Sequence, residues 1–288
     1  MKGKVFITLM SLFIMTILTS CHSDIENNDE TITLLKAKWK ISDLNSVYAS
    51  FEFTKDGNFI VVENGTNANI RTVYDNKSFF SPQNTNVSIK MGTKASSSKL
   101  TPVHFGTFQI DGNTINLPDF GTIIVTSISA EEFSFSFTLA ATGKKWNFIT
   151  NKAQELTQSK RTEMLCRTWT INKVTIDEAL LPEADKNWYE YQYGQNWKVE
   201  AEKEFLGTVV LFTEAGTYLI SYADKDSKTA LSWWKWANKE ETAIIYSEDN
   251  WQDNWQGNNG LIKELTGTTF KMQEKASISY ELGLYCSE

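Results

Sequence analysis

The sequence predicts an all-β protein: two antiparallel domains in tandem behind an amino-terminal leader. Three observations carry this expectation. One short pattern occurs twice, as Trp39-Lys40-Ile41 followed by Phe53-Thr54-Lys55-Asp56-Gly57-Asn58-Phe59-Ile60, and as Trp169-Thr170-Ile171 followed by Phe212-Thr213-Glu214-Ala215-Gly216-Thr217-Tyr218-Leu219. Short runs of alternating apolar and polar residues are punctuated by turn residues at intervals of about 8–12, which is the pattern of a sandwich or a barrel. Finally, 288 residues with 41% apolar content and only 4 prolines leave room for about two cores, at roughly 150 residues each.

The chain begins as an address. Lys2 and Lys4 supply a positive start, Val5 to Leu18 is almost wholly apolar, and Leu18-Thr19-Ser20-Cys21 follows. The apolar run is too short and wrongly flanked for a spanning helix, so residues 1–20 are expected to be a cleaved signal. The order of charge, apolar run and small residues before a Cys resembles the bacterial lipoprotein signal. That resemblance implies a lipidated Cys21, a membrane partner reached through the anchor, and an outer-membrane location. Residues 21–30 are polar and carry four acids, which suits a solvated tether. Acids just after the lipidated Cys also resemble the surface-export signal of Bacteroidetes lipoproteins. Both the surface and the periplasmic side remain open.

The first domain is placed at 31–150. A helical turn before Trp39 leads into strands at Ser50–Thr54 and Asn58–Val62, joined by Lys55-Asp56-Gly57-Asn58, where Asp-Gly is a strong hairpin signal. Further strands are expected at Ile70–Tyr74, Asn86–Met91, Val103–Ile110, Thr114–Leu117, Thr122–Ile128, Glu132–Leu139 and Lys145–Ile149. Phe133-Ser134-Phe135-Ser136-Phe137-Thr138-Leu139 alternates most clearly. Its aromatic face belongs either to a core or to the lining of a barrel cavity.

Residues 151–161 are polar and read as a linker. The second domain, 162–288, restarts the pattern with two differences. Trp39 and Phe53 are 14 residues apart, whereas Trp169 and Phe212 are 43 apart, an excess of 29 residues. This aromatic-rich insertion, 177–207, holds Trp188, Tyr191 and Trp197, and is expected to be a lid or binding loop. Two more aromatic stretches follow, Trp233-Trp234-Lys235-Trp236 and a doubled Asp-Asn-Trp-Gln carrying Trp251 and Trp255. Large aromatics of this kind either fill a core or offer flat faces to a ligand, with the neighbouring Asn and Gln as hydrogen-bond partners. Trp188, Tyr191, Trp197, Trp234, Trp251 and Trp255 are the candidate ligand-binding residues.

Charge and motifs narrow the function. The formal charge is -7, and loss of Lys2 and Lys4 with the leader brings it to -9, which disfavours nucleic acid as a partner. The chain has 2 His, no His-Glu-x-x-His, no Gly-x-Ser-x-Gly and no Walker loop. A metal site, a cofactor and nucleophilic catalysis are therefore not expected, although paired carboxylates near the aromatics leave a hydrolase open. The expected activity is noncatalytic binding of a glycan or a small apolar molecule, chiefly by the second domain. The alternative is a structural or partner-binding subunit of a cell-surface complex.

The twice-used Trp and hairpin spacing resembles the lipocalin-like domains of Bacteroidetes lipoproteins, here in tandem. Ala37 and Arg167 stand where calycin families carry a Gly two residues before the Trp. The resemblance implies two tandem lipocalin-like (calycin-type) antiparallel β-barrels, each a closed meander of eight to ten strands. In a closed meander the first and last strands are neighbours, so Cys166 and Cys286 are candidates for a disulfide in an oxidising compartment. The alternative is two buried thiols. A bridge closing about 120 residues would contribute about 4–5 kcal/mol on the loop-entropy model. Thiol counting by mass spectrometry of the unreduced mature protein tests this: a bridge leaves no thiol to alkylate, and two alkylated thiols disprove it.

Overall fold

The structure is a computed structural model that describes residues 28–64, 77–78, 81–82, 103–221, 229–247, 258–274 and 277–285. The leader, Cys21, the expected strands at 70–74 and 86–91, Trp251, Trp255 and Cys286 lie outside the described residues. Two antiparallel β-barrels follow one another along the chain. The first opens with helix α1 (Asn28–Leu35), so helix replaces the last residues of the expected tether. It continues with β1 (Lys38–Ile41), β2 (Tyr48–Phe53) and β3 (Asn58–Glu63). A separate two-stranded ribbon, β4 (Lys77–Ser78) with β5 (Ser81–Pro82), precedes β6 (Val103–Thr107) and β7 (Gln109–Asp111). The barrel is completed by β8 (Thr114–Leu117), β9 (Gly121–Ile128), β10 (Glu132–Leu139) and β11 (Lys145–Lys152).

Its sheet runs β6-β3-β2-β1-β11-β10-β9-β8-β7. The two edge strands are consecutive in the chain and are separated only by Phe108, whose N–H turns aside to Gly57 O at 3.0 Å. One bent strand therefore pairs with β3 through its first half and with β8 through its second, which all but closes the barrel. The alternation in β10 resolves to the core: Phe133, Phe135 and Phe137 are buried among Trp39, Phe51 and Phe148. Their rings meet in tilted and edge-on contacts, and Phe133 stacks on Phe135, arrangements that aromatic quadrupoles favour over a face-to-face sandwich.

The second barrel starts at α2 (Lys160–Leu165), capped by Ser159, whose hydroxyl accepts from Thr162 N at 2.9 Å. Its eight strands form a closed ring in chain order: β12 (Thr168–Ile176), β13 (Val209–Phe212), β14 (Thr217–Ser221), β15 (Thr229–Trp236), β16 (Ala243–Ser247), β17 (Asn258–Leu265), β18 (Thr269–Glu274) and β19 (Ile278–Leu284). The linker expected at 151–161 shortens at both ends, because β11 runs to Lys152 and α2 begins at Lys160.

The repeated motif has one structure in both copies. The indole N–H of Trp39 donates to Leu35 O and that of Trp169 to Leu165 O, each at 3.0 Å, which ties a short helix under each barrel. Thr54 Oγ1 accepts from Asn58 N at 3.0 Å, and Thr213 Oγ1 from Thr217 N at 3.1 Å. Gly57 and Gly216 have φ of +84° and +76°, a backbone that side chains with a Cβ rarely adopt. The turn demands Gly, and so the motif keeps it.

These two hairpins meet each other. Asn58 Nδ2 donates to Thr168 Oγ1 at 2.9 Å, and Lys38 Nζ donates to Thr217 Oγ1 at 2.8 Å. Lys38 and Thr168 each precede a motif Trp, and Asn58 and Thr217 each follow a motif Gly, so the contacts exchange roles about an approximate two-fold axis. Lys55 pairs with its counterpart Glu214 across that axis. Outward residues Ile60 and Val62 pack on Leu211, Leu219 and Leu231. Buried in the seam, Lys38 Nζ lies 3.6 Å from Glu52 Oε2 and 4.3 Å from the centre of the Trp233 ring. Burial lowers the Lys38 pKa, while the Glu52 charge opposes that shift.

Removing one member of a buried ion pair leaves the other desolvated and unpaired, at a cost of about 3–5 kcal/mol, whereas replacing both with apolar residues is often close to neutral. Glu52→Ala is accordingly expected to lower the urea midpoint far more than the double variant Lys38→Met/Glu52→Leu. Equal losses would show that the pair contributes no more than its packing volume.

Candidate functional site at the capped end of the second barrel

The antiparallel meander places the connections after β12, β14, β16 and β18 at one end of the second barrel. The excess residues between Trp169 and Phe212 fall at that end and form a helical cap. A single turn at Glu178–Leu180 leads to Pro182, which opens α3 (Glu183–Tyr193) with φ -57°. Glu183 and Asp185 sit in the first turn, where carboxylates complement the helix dipole. Gly194, at φ +75°, ends α3 and reverses the chain into α4 (Trp197–Glu204). Gly207, at φ +77°, returns it toward β13, with its N–H on Ile171 O at 2.9 Å.

The cap is held by its buried side. Tyr189, Trp197, Ala201 and Phe205 belong to the same buried cluster as the barrel interior, with Trp188 and Tyr193 packed against it. Tyr189 stacks on Trp197 at 5.4 Å between ring centroids, and Phe205 meets Tyr280 edge-on at 6.4 Å. Glu202 Oε1 accepts from Ile176 N at 3.0 Å, which fastens α4 to the end of β12.

Below the cap lies a polar group. Along β18 the inward positions are Phe270, Met272 and Glu274, all buried. Tyr246 Oη donates to Glu274 Oε1. Tyr218 lies 5.7 Å from Tyr246 between ring centroids, and Tyr218 and Tyr280 both act electrostatically on it. Burial, reinforced by the Glu274 charge, pushes the Tyr246 phenol well above its ordinary range.

The first barrel gives the comparison. Trp39 touches Phe133 as Trp169 touches Phe270, so these two Phe are equivalent. Two residues further along each strand, Phe135 matches Met272, and four residues along, Phe137 matches Glu274. The ladder partners of these residues make Phe148 the counterpart of Tyr280 and Ile115 the counterpart of Ile244, so that Leu117 stands where Tyr246 does. The hairpin motif equates Phe59 with Tyr218. Phe137, Leu117, Phe148 and Phe59 are all buried. Four positions that hold hydrocarbon in the first barrel thus hold Glu274, Tyr246, Tyr280 and Tyr218 in the second.

Of the six aromatics read from the sequence, the four within the described residues do not form one surface. Trp234 is fully buried, with its indole N–H on Thr213 O at 3.0 Å, and Trp197 is buried in the cap. Both serve packing in this structure rather than presenting a flat face to solvent, because their ring areas fill the barrel and its cover. Trp188 is half-buried, and Tyr191 is 85% exposed. Reading the sequence missed the Glu274–Tyr246 pair. Its signal was the alternation of Phe270-Lys271-Met272-Gln273-Glu274, which puts a carboxylate in line with two core residues. It also missed the helical nature of the insertion, which the four-residue spacing of Tyr189, Tyr193, Trp197, Ala201 and Phe205 announces.

Two other clusters complete the survey. His104 Nε2 lies 2.9 Å from Glu63 Oε1 and stacks on Phe120 in the first barrel. Between the barrels, Lys38, Glu52, Thr54, Lys55, Cys166 and Glu214 line a narrow cleft. Burial there pushes the Cys166 thiol up, with Glu214 adding to the effect, so a reactive thiolate is disfavoured. Among the described residues no group of three metal-ligating side chains occurs. No protein-family model, curated protein or solved structure matches the chain.

The buried phenols set an alkaline limit. Tyr48 is pushed up to about 12, first by burial and then by Glu63, and Tyr246 is raised as well. An unfolded tyrosine titrates near about 10, so the unfolded chain releases these protons first. Their contribution is full below about pH 10 and is lost as pH climbs from there toward the folded values. Absorbance titration at 295 nm is expected to show at least two tyrosines that ionise only as circular dichroism reports unfolding. Ionisation of every tyrosine near pH 10 with the fold intact would contradict this.

Proposed function

We propose that this chain is a noncatalytic binding protein of the cell envelope, anchored in the outer membrane through a lipid on Cys21. Its second barrel takes a small ligand with an apolar body beneath α3 and α4. The observation that carries this reading is the cap: an insertion present in one copy only, whose aromatic seam closes one end of a barrel. The first copy then serves as the scaffold half, joined to the second through the two-fold seam. The noncatalytic reading rests on the sequence, which lacks the motifs that pair a nucleophile with a base.

Of the two ligand classes suggested by composition, the apolar molecule has the better support. Stacking on sugar rings needs exposed aromatic faces, and Trp197 and Trp234 turn theirs inward. A second reading, as a partner-binding subunit of a surface complex, is favoured by the outer side of the insertion. Leu180, Tyr191, Val199 and Leu206 are exposed there.

Binding of Nile red to the mature protein, with octanol as competitor, tests the first reading. One site is expected, displaced by octanol, weakened about tenfold by Phe205→Ala and unchanged by Tyr191→Ala; a tenfold loss corresponds to about 1.4 kcal/mol. Absence of saturable binding overturns the reading. Loss of binding in Tyr191→Ala alone would move the site to the outer side of the cap.

A further inference from the structure

We infer that two copies of this chain pair through the outer wall of the first barrel, over β9, β10 and β11. This surface is separate from the capped end of the second barrel and does not depend on a ligand there. Along β10 the outward residues Ser134 and Ser136 alternate with the buried Phe133, Phe135 and Phe137. The ladder sets Ile149 and Ser127 on either side of Ser134, and Asn147 and Ile124 on either side of Ser136. These six side chains form two adjoining rows without a charge, and Glu132 and Lys145 stand at the two ends of the face. Ile149 is 67% exposed, more than any other large apolar side chain on a strand among the described residues.

The second barrel shows what the same wall carries when it faces water. Because Phe133 is equivalent to Phe270, Ser134 matches Lys271, and the ladders then match Ile149 with Glu281 and Ser127 with Glu264. Those three are charged and paired: Lys271 Nζ lies 2.9 Å from Glu264 Oε2, and Glu281 Oε1 lies 3.0 Å from Lys173 Nζ. The scaffold therefore accepts a charged network at positions where the first barrel has two hydroxyls and an exposed isoleucine. Loss of charge is the mark of an interface core. The occupant follows from charge and symmetry. The chain carries a net charge of -7, so two copies repel through their fields and approach best at a wall that has none. A two-fold pair also needs a surface that matches itself. Hydroxyl and carboxamide groups both donate and accept, so Ser127, Ser134, Ser136 and Asn147 can meet their own kind, which a Lys or a Glu cannot. Ile149 and Ile124 stand at diagonally opposite corners of the two rows. A two-fold axis crossing that diagonal sets Ile149 of one copy on Ile124 of the other.

Sedimentation equilibrium of the mature protein, in a concentration series reaching the millimolar range, tests the pairing. A monomer–dimer equilibrium is expected. The triple variant Ser127→Glu/Ser134→Lys/Ile149→Glu installs the charges that the second barrel carries at these positions, and is expected to weaken the dimer about tenfold or more while circular dichroism stays unchanged. Should the triple variant fail to fold, Ile149→Asn alone decides, with loss of the dimer expected. Tyr191→Ala, on the outer side of the cap, is expected to leave the equilibrium as it is. A protein that stays monomeric throughout the series overturns the inference. So does a dimer that survives the wall variant in folded form, or one that is lost in Tyr191→Ala, which would place the contact on the cap.

Discussion

An eight-stranded barrel has an interior just wide enough to be filled by its own inward side chains or to hold one small ligand among them. The rest of this structure follows from that limit on volume. In the first copy the space is taken up by aromatics that pack edge to face and stacked, and Trp39 plugs the end tied down by α1. The second copy obeys the same limit with different atoms. Trp169 and Trp234 fill the interior from one side, and Tyr189, Trp197, Ala201 and Phe205 cover it from the other. Chemistry can enter such an interior only by exchange of one side chain for another of similar size. Tyr218 and Tyr280 at positions that hold phenylalanine in the first copy, Tyr246 where it holds Leu117, and Glu274 where it holds Phe137 are exchanges of that kind.

The hairpins could be read from the sequence because their physics is local. A Gly that must adopt positive φ, a Thr hydroxyl that closes its own turn, and a Trp that reaches back to the preceding carbonyl are all decided within about twenty residues. Strand alternation is equally local, and β10 was legible for that reason. Burial of the cap was not legible. Whether Trp197 faces solvent or core depends on helices that seat themselves on a barrel wall distant in sequence. Composition alone cannot distinguish an aromatic that offers a face from one that hides it. Glu274 fell between these cases. Its strand position could be read, but its equivalence to Phe137 of the first barrel depends on the pairing of strands distant in sequence.

The seam between the barrels is built from the best-defined part of the repeat. Each hairpin supplies a side chain that follows its Gly and receives one that precedes the other Trp. The polar centre is sealed by aliphatic side chains from both outer faces and by the indole of Trp233 over Lys38. Long-range hydrogen bonds to a buried ion pair make the seam selective for this one apposition, because any slip takes the Thr217 hydroxyl of the second barrel away from Lys38 and Glu52 of the first.

That near-symmetric apposition has an evolutionary consequence. In a dimer of identical subunits every mutation appears on both sides of the axis, so a carboxylate placed in one core is placed in both, and two compensating partners must be found at once. When both halves lie in one polypeptide, that coupling is broken. One half can remain a conservative packing unit that secures folding and the shared seam, while its duplicate accumulates an insertion and a charged interior. The different contents of the two barrels are an asymmetry that a dimer of identical subunits could not hold.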